Sequence, residues 1–187
     1  MKSFSKGRHF IDKCLNNFHF SENKNLYNYP KFSVVIPAYN CESSIYYSLI
    51  SIQKQNISEY EIILINDFSK DNTSQIIQSL SQHDKRIKII NNQKNQGTLY
   101  SRCIGTLIAK GEYIFALDND DMIFGENIFD YLYKMAEDGK YEIIGFKAVN
   151  VRSYNDTIKK MEDLYSYIHP NNIFFLNFSK NKIFNLS

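Results

Sequence analysis

The sequence of 187 residues contains no tryptophan, three prolines, seven glycines and three cysteines. We interpret the missing tryptophan and the scarce glycine and proline as a compositional bias of the source, without functional meaning. Cys14, Cys41 and Cys103 are scattered and form no CxxC pair, so we expect them to stay reduced in a cytosol. No stretch approaches the roughly 20 apolar residues of a transmembrane helix. The basic N-terminus also lacks the apolar core of a secretory signal. These absences predict a cytoplasmic protein, and peripheral binding at the cytosolic face of a membrane is compatible with them.

The charge balance excludes few classes of partner but does not favour nucleic acid. The formal net charge is only +2, so bulk charge indicates neither a nucleic acid nor a membrane surface as the partner. Hydrophobic residues make up 43% of the chain and charged residues 22%, as is ordinary for a soluble globular protein. The length fits one domain with a sizeable core.

From Phe32 onward, short apolar runs alternate with segments of helical periodicity. The runs FSVVIP, YEIILIND, RIKIINN and EYIFAL predict strands, and YEIIGFKAVNVRS predicts a fifth. IFFLNF, near the end, fits either a strand or a short buried helix. Such alternation predicts an α/β fold, with a mostly parallel sheet and helices on both of its faces.

The helices between these runs have recognisable inner faces and ends. In the first helix, three apolar residues recur at helical spacing, namely Ile45, Leu49 and Ile52. Ser43 or Ser44 is the predicted cap of this helix. Gly111 and Gly139 are predicted to end two later helices.

The pattern also divides the chain. Residues 1–30 show no sustained period and are predicted to form an irregular N-terminal arm. Residues 31–150 carry the alternation and are predicted to form the main domain. Residues 151–187 are predicted to be a C-terminal extension, because the pattern weakens there.

Polar residues follow three of the predicted strands at the point where each strand ends. These segments are Pro37–Asn40, Asn66–Ser69 and Asp118–Asp121. In open parallel sheets, ligands bind beyond the carboxyl ends of the strands. The sequence therefore predicts a binding site where the three segments converge.

The segment YIFALDNDDM places three carboxylates within four residues. Asp118 and Asp120 are predicted to share a hard divalent cation, with water and phosphate oxygens filling its other positions. The alternative is a solvated acidic turn in which Asp121 favours the start of the next helix. An EF-hand is excluded because Ile123 stands where that loop requires glycine. A phosphatase of the haloacid dehalogenase type is rejected, because its DxD follows the first strand.

Three segments, VVIPAYN, INDFSKDNT and NQGTLYSRCIGTLIAKGEYIFALDNDD, together resemble the family 2 glycosyltransferases of the GT-A fold. The resemblance runs from about Lys31 to Ala148, with matching order and spacing. It implies that residues 31–150 form a nucleotide-sugar-binding domain and residues 151–187 a truncated acceptor region. It also implies metal-dependent, inverting transfer of a hexosyl or N-acetylhexosaminyl group in glycan biosynthesis. The expected donor is a UDP-sugar, and the group moves to an acceptor hydroxyl on a glycan, lipid or protein.

The resemblance implies roles for individual residues. The donor-binding residues it implies are Pro37, Ala38, Tyr39, Glu42, Asp67, Gly97, Arg102 and Asp118. Asp120 and Asp118 are the implied ligands of Mn²⁺ or Mg²⁺, and Asp121 is implied to lie behind them. The family usually has glycine where Phe68 stands, and a left-handed backbone conformation at this position would cost a phenylalanine energy.

Inverting members of the family need a further carboxylate as general base. The acidic pair that follows the predicted fifth strand is Glu162–Asp163, in a charged stretch typical of a surface helix. The catalytic residue is therefore unassigned, with Glu162 and Asp163 as candidates. We expect this chain to bind its donor and to transfer sugar poorly. The alternative is a non-catalytic nucleotide-sugar-binding fragment or subunit that lacks the base.

Overall fold

The part of the chain that the structure describes folds around a sheet of four strands. The computed structural model describes residues 29–139, 141, 143–146 and 173–176. The strands are β1 (Phe32–Ala38), β2 (Tyr60–Asn66), β3 (Ile87–Asn91), β4 (Tyr113–Ala116), β5 (Ile143–Phe146) and β6 (Ile173–Leu176). The helices are α1 (Ile45–Gln53), α2 (Thr73–His83), α3 (Thr98–Ile108) and α4 (Ile128–Gly139). Within the described ranges, no helix is both long enough and apolar enough to cross a membrane.

The order of the strands brings the three predicted loops together. The sheet runs β3-β2-β1-β4, and each neighbouring pair is parallel. Val34 of β1 lies between Ile62 of β2 and Phe115 of β4. The carboxyl ends of β2, β1 and β4 therefore follow one another along one edge of the sheet, which we call the rim.

Both faces of the sheet are covered, as predicted. β1 and β2 are buried along their whole length, which explains their continuous apolar runs. One face packs against α1, α2 and α4, and the predicted inner residues of α1 are fully buried there: Ile45, Leu49 and Ile52. On the other face, Val35, Ile63 and Ile65 pack against the end of α3. Burying one such aliphatic side chain stabilises the fold by about 1.5–3 kcal/mol.

In the described part of the chain, the last two strands form a separate sheet. β5 pairs with β6 in antiparallel fashion, with Ile143 opposite Leu176 and Phe146 opposite Ile173. The segment IFFLNF thus contains a strand. The fifth strand is present as predicted, but it does not continue the parallel order, because alternation identifies a strand without identifying its partner. Residues 1–28 and most of 151–187 lie outside the described residues, so the predicted domain limits remain predictions.

The role predicted for Gly111 is wrong. α3 ends at Ile108, before this glycine. A Cβ atom at position 111 would lie 2.4 Å from the backbone nitrogen of Ser33 and 2.6 Å from the carbonyl carbon of Phe32. Glycine is needed here because the chain passes close to β1, and not because a helix ends. Gly139 is the last residue of α4, as predicted.

We expect Gly111→Ala to lower the free energy of unfolding by about 1–3 kcal/mol, the usual cost of overpacking. Gly105→Ala in α3 is the matched control. Its Cβ would meet side-chain atoms, Val35 Cγ1 at 2.4 Å and Ile65 Cδ1 at 2.7 Å, and alanine gains up to about 1 kcal/mol of helix propensity. Urea unfolding should therefore show the larger loss for Gly111→Ala. A larger loss for Gly105→Ala would contradict the close backbone approach.

Candidate functional site

Backbone carbonyl groups connect the loops at the rim. The carbonyl oxygen of Ala38 accepts a hydrogen bond of 2.8 Å from the N–H of Asp67, which ties the end of β1 to that of β2. The carbonyl oxygen of Pro37 accepts a bond of 3.0 Å from Nδ2 of Asn119, in the loop after β4. Both Pro37 and Ala38 are buried. These two residues, which were predicted to bind the donor, therefore join the three loops through their main-chain carbonyl groups.

The loops after β1 and β2 are hydrogen-bonded to each other at their tips. The Oδ1 atom of Asn40 accepts a bond of 2.8 Å from the N–H of Lys70. The N–H of Asn40 donates a bond of 3.1 Å to Oγ of Ser69. Asn40 has a φ of 47°, in the left-handed region that asparagine tolerates better than most residues. The two tips therefore behave as one hydrogen-bonded unit.

Glu42, predicted to bind the donor, is engaged by the loop after β2. Its Oε2 atom accepts bonds of 2.8 Å from both the N–H and the side-chain amide of Asn72. Its N–H donates to Oδ2 of Asp71 at 3.1 Å, and Oδ1 of Asp71 accepts from the N–H of Thr73 at 3.0 Å. Asp71 therefore forms an Asx-turn. The Glu42 carboxylate completes the start of α2, where negative charge is favourable.

Asp67 is buried at the rim, with 3% of its surface exposed. Its Oδ1 atom accepts bonds from Nδ2 of Asn92 at 2.7 Å and from the N–H of Gln96 at 2.9 Å. Its Oδ2 atom accepts a bond of 2.7 Å from the N–H of Gly97. Burial by itself would raise the pKa of Asp67, but these hydrogen bonds and one from Ser101 lower that pKa below its ordinary value. The charged carboxylate thus orders the loop that opens α3.

Gly97 sets the direction in which α3 begins. Its φ of 88° lies in the region that favours glycine. A Cβ atom there would meet nothing within 4 Å, so conformation and not space requires the glycine. The resulting turn directs the N–H of Gly97 to Asp67 and starts the helix that carries Arg102. Gly97 therefore has a positioning role at the rim.

The acidic loop, residues 118–121, is held by a serine from α1. The Oγ atom of Ser48 lies 2.8 Å from the carbonyl oxygen of Asn119 and 2.6 Å from that of Asp121. The N–H of Asp121 donates a bond of 3.1 Å to the carbonyl oxygen of Asp118, which closes a turn. The backbone of the loop is therefore fixed, while Asp120 and Asp121 are exposed.

The carboxylates of the acidic loop lie in different electrostatic environments. Asp118 forms an ion pair with Nη2 of Arg102, and both side chains are partly exposed. Partial desolvation, followed by the negative charges of Asp120 and Asp118, raises the pKa of Asp121. The Nε atom of Arg102 is buried and, among the described residues, has no hydrogen-bond partner. The loop thus combines mutually repelling carboxylates with one guanidinium that pairs with a single member.

The carboxylates of the acidic loop suit a cation that is also bound by a ligand, but they do not form a complete metal site by themselves. Across the described residues, no group of three or more His, Cys, Asp or Glu side chains is arranged to hold a metal ion. Asp118 is paired with Arg102, whereas Asp120 is exposed. Mg²⁺ is usually bound by one or two carboxylates, with water and substrate phosphates in the other positions. The residues present therefore fit Mg²⁺ or Mn²⁺ if a diphosphate completes the shell.

Two exposed aromatic rings stand on the joined loops. Tyr39, predicted to contact the nucleoside, is 46% exposed, and Phe68 is 39% exposed. Phe68 has a φ of 67°, so the left-handed conformation considered from the sequence is present. The ring of Phe68 lies under Nζ of Lys70, which is 3.4 Å from the ring centroid. The loop after β2 therefore differs locally from one built with glycine at this position.

Sequence analysis missed two residues that build the site. Asn92 follows β3, and besides bonding Asp67 it donates its N–H to the carbonyl oxygen of Asn66 at 2.9 Å. The signal was a pair of asparagines at the end of RIKIINN. Ser48 is 1% exposed on the apolar face of α1, and a polar residue in an apolar stripe was the available signal. The candidate bases Glu162 and Asp163 lie outside the described residues.

A comparison with known families and sequences matches most of the chain. The family model described as "Glycosyl transferase family 2" matches residues 33–185. An "Uncharacterized glycosyltransferase" of Haemophilus influenzae is 37% identical over 101 residues, which cover 54% of this chain and 40% of the relative. The "GalNAc(5)-diNAcBac-PP-undecaprenol beta-1,3-glucosyltransferase" of Campylobacter jejuni is 33% identical over 117 residues, covering 62% of this chain and 38% of the relative. The chain thus spans about two fifths of the length of these curated relatives.

Solved structures share the fold. S. aureus TarS in complex with UDP-GlcNAc matches with a TM-score of 0.59 and 28% identity, covering 66% of this chain and 36% of that chain. A mannosyltransferase of Pyrobaculum calidifontis, in complex with GDP-Man and Mn²⁺, matches with a TM-score of 0.53 and 16% identity, covering 71% of this chain and 41% of that chain. The second likeness concerns the fold alone. The predicted α/β, Rossmann-like GT-A fold is confirmed.

Proposed function

Because the chain belongs to glycosyl transferase family 2, we propose that its rim binds a nucleotide-diphospho-sugar and that the protein transfers the sugar to an acceptor hydroxyl. A UDP-sugar is the proposed donor, since the solved structures of TarS include complexes with UDP and UDP-GlcNAc. A hexosyl or N-acetylhexosaminyl group is the proposed sugar, because one relative is named a glucosyltransferase and a TarS structure holds UDP-GlcNAc. The proposal extends to glycan biosynthesis, with the acceptor open to experiment.

One observation carries the proposal. Three loops that follow β2, β1 and β4 meet at one rim and are joined by hydrogen bonds through Ala38 and Pro37. One side of the rim holds the exposed ring of Tyr39 and the buried Asp67. The other side holds the acidic loop and Arg102. An apolar and hydrogen-bonding side suits a nucleoside, and a charged side suits a diphosphate with its cation.

The charged side supports a division of roles. Asp120 and Asp118 are the proposed ligands of Mg²⁺ or Mn²⁺, which when bound would neutralise charge on the departing diphosphate. Arg102 holds Asp118 now, and its unpaired Nε atom is a donor that a phosphate oxygen would satisfy. Asp121 is the proposed supporting residue, and its carbonyl oxygen is held by Ser48.

Transfer needs one more group. In inverting transfer, the bond between the anomeric carbon and the diphosphate oxygen breaks, a bond to the acceptor oxygen forms, and a carboxylate takes the hydroxyl proton. Glu162 and Asp163 remain the candidates for this base. A panel of UDP-sugars, assayed for both hydrolysis and transfer, tests the activity of the chain. Binding without either reaction would favour the alternative, a nucleotide-sugar-binding subunit completed by another protein.

Calorimetry with UDP tests the donor site. We expect UDP to bind at least about 10-fold tighter in Mg²⁺ or Mn²⁺ than in EDTA, because the acidic loop repels a diphosphate that carries no cation. Uridine is the matched control ligand, since it lacks phosphates and its affinity should not depend on the metal. Equal affinity for UDP in EDTA would overturn the metal role. Failure of UDP to bind under any condition would overturn the proposed donor.

A further inference from the structure

Phe68 combines a strained backbone with an exposed ring. Its φ of 67° is disfavoured for a residue with a Cβ atom, and 39% of its surface is accessible. Strained conformations of this kind persist where the surroundings impose them, and they cluster at ligand sites. An apolar ring that served folding alone would gain more from burial in a relaxed loop. The strained backbone and exposed ring of Phe68 therefore indicate a role in binding and not in folding.

The segment around Phe68 is fixed on both sides. The N–H of Ser69 donates a bond of 3.1 Å to Oδ1 of Asn66, and Oγ of Ser69 accepts from the N–H of Asn40. The N–H of Lys70 donates to Oδ1 of Asn40, while its ammonium group lies 3.4 Å from the ring centroid of Phe68. The ring is thus presented by a backbone that hydrogen bonds hold in place and by a cation against one of its faces.

The sheet order gives the direction in which a donor must extend. A diphosphate bound at the acidic loop lies beyond β4, which is the last strand of the order β3-β2-β1-β4 in the described sheet. A nucleoside that stays on the rim therefore passes over β1 toward β2. At the usual strand spacing, the ends of β4 and β2 are about 10 Å apart. Phe68 is the second residue after β2, so it stands where the base would arrive.

We propose that Phe68 is a base-stacking residue, whose ring contacts the nucleobase of the donor and sets much of the affinity for the nucleoside. The inference rests on the proposed function, because it requires a nucleotide donor on the rim. Stacking of a base on an aromatic ring does not require a hydrogen-bond pattern, and its loss typically weakens binding by about 10-fold or more. Lys70 acts here as a positioning residue for the ring.

The test measures the affinities of Phe68→Gly and Phe68→Leu for UDP and for inorganic pyrophosphate, both in Mg²⁺. We expect each variant to bind UDP about 10-fold more weakly than the parent. The affinity of each variant for pyrophosphate should equal that of the parent. Phe68→Tyr, which keeps an aromatic face, should bind UDP within about 3-fold of the parent. The melting temperature of Phe68→Gly should stay within about 4 °C of the parent, because release of the left-handed strain opposes the loss of ring contacts.

Tyr131→Leu is the matched control. Tyr131 is 43% exposed on α4, whose start contacts Asn56 beyond the C-terminal end of α1, at the edge of the sheet opposite the rim. Its loss should leave UDP affinity unchanged. Equal weakening of UDP and pyrophosphate by the Phe68 variants, or no weakening of UDP, would overturn the inference. If Phe68→Gly unfolds, the affinities of Phe68→Leu decide the outcome. If the parent protein does not bind UDP, the proposed function is wrong, and the role of Phe68 falls with it.

Discussion

Asp67→Ala is expected to lower the free energy of unfolding by about 3 kcal/mol. Asp67 is 3% exposed, and its carboxylate accepts hydrogen bonds from the N–H groups of Gln96 and Gly97 and from the amide of Asn92. Removing the acceptor leaves several donors unsatisfied, each at a cost of about 1–3 kcal/mol, less what relaxation of the loop recovers. The melting temperature should fall by about 6–12 °C. Urea unfolding and scanning calorimetry measure the two quantities.

Asp71→Ala provides the comparison for this loss. Asp71 also accepts two backbone hydrogen bonds, from Glu42 and Thr73, but it lies in a less buried position where water replaces a lost partner. We expect a cost of about 1 kcal/mol, the usual net value of such bonds. If both variants lost the same free energy of unfolding, the buried hydrogen bonds of Asp67 would stabilise the fold no more than the less buried ones of Asp71.

The pH dependence of stability follows from the same hydrogen bonds. The pKa of Asp67 is lower in the folded state than its ordinary value of 3.8, so the unfolded chain binds the proton more readily. Its stabilising contribution is therefore complete above the ordinary pKa and is lost as the pH falls through the folded-state pKa. The difference in unfolding free energy between the parent and Asp67→Asn should shrink as the pH is lowered from about 6 to about 3. A constant difference would show that the charge of Asp67 is not involved.

The strands and helices of the parallel core could be predicted because the patterns that indicate them lie within short segments of the sequence. Apolar, β-branched runs such as the one in β1 are typical of strands buried on both faces, and the inner residues of α1 recur at helical spacing. The pairing of β5 with β6 was not predictable in this way, since partner choice depends on residues far apart in the chain. The cap of α1 shows the same limit. Ser44 occupies the N-cap position as predicted, but its hydroxyl donates to the carbonyl oxygen of Cys41 instead of capping the helix.

The site was predictable to the extent that strand ends mark a rim. The rule located the loops holding Pro37, Asp67 and Asp118, since parallel strands carry their carboxyl ends to one edge. It did not reveal which side chains serve the protein itself. Glu42 is engaged at the start of α2 and Asp67 at the start of α3, through bonds that span 30 residues or nearly so. Long-range hydrogen bonds of this kind leave no periodic signal in a sequence.

The acidic loop separates the roles of two neighbouring carboxylates. Asp120 and Asp121 are both exposed. Partial desolvation, together with the charges of Asp120 and Asp118, raises the pKa of Asp121, and the carbonyl oxygen of Asp121 is held by Ser48. Since Asp118 is already paired with Arg102, Asp120 is the carboxylate best placed to reach a cation that a diphosphate shares. We therefore expect a direct ligand at position 120 and a supporting residue at position 121.

Asp120→Asn is accordingly expected to weaken UDP binding in Mg²⁺ by about 100-fold, and Asp121→Asn by about 10-fold. Losses of 10- to 100-fold are typical even for residues that only support metal ligands, so a direct ligand belongs at or above the upper value. Both substitutions remove one charge and keep the side-chain size, so each serves as the control for the other. Calorimetry should show that the two variants bind UDP alike in EDTA and differ only when the metal is present. A larger loss for Asp121→Asn would place the ligand one residue later and make Asp120 the supporting member of the loop.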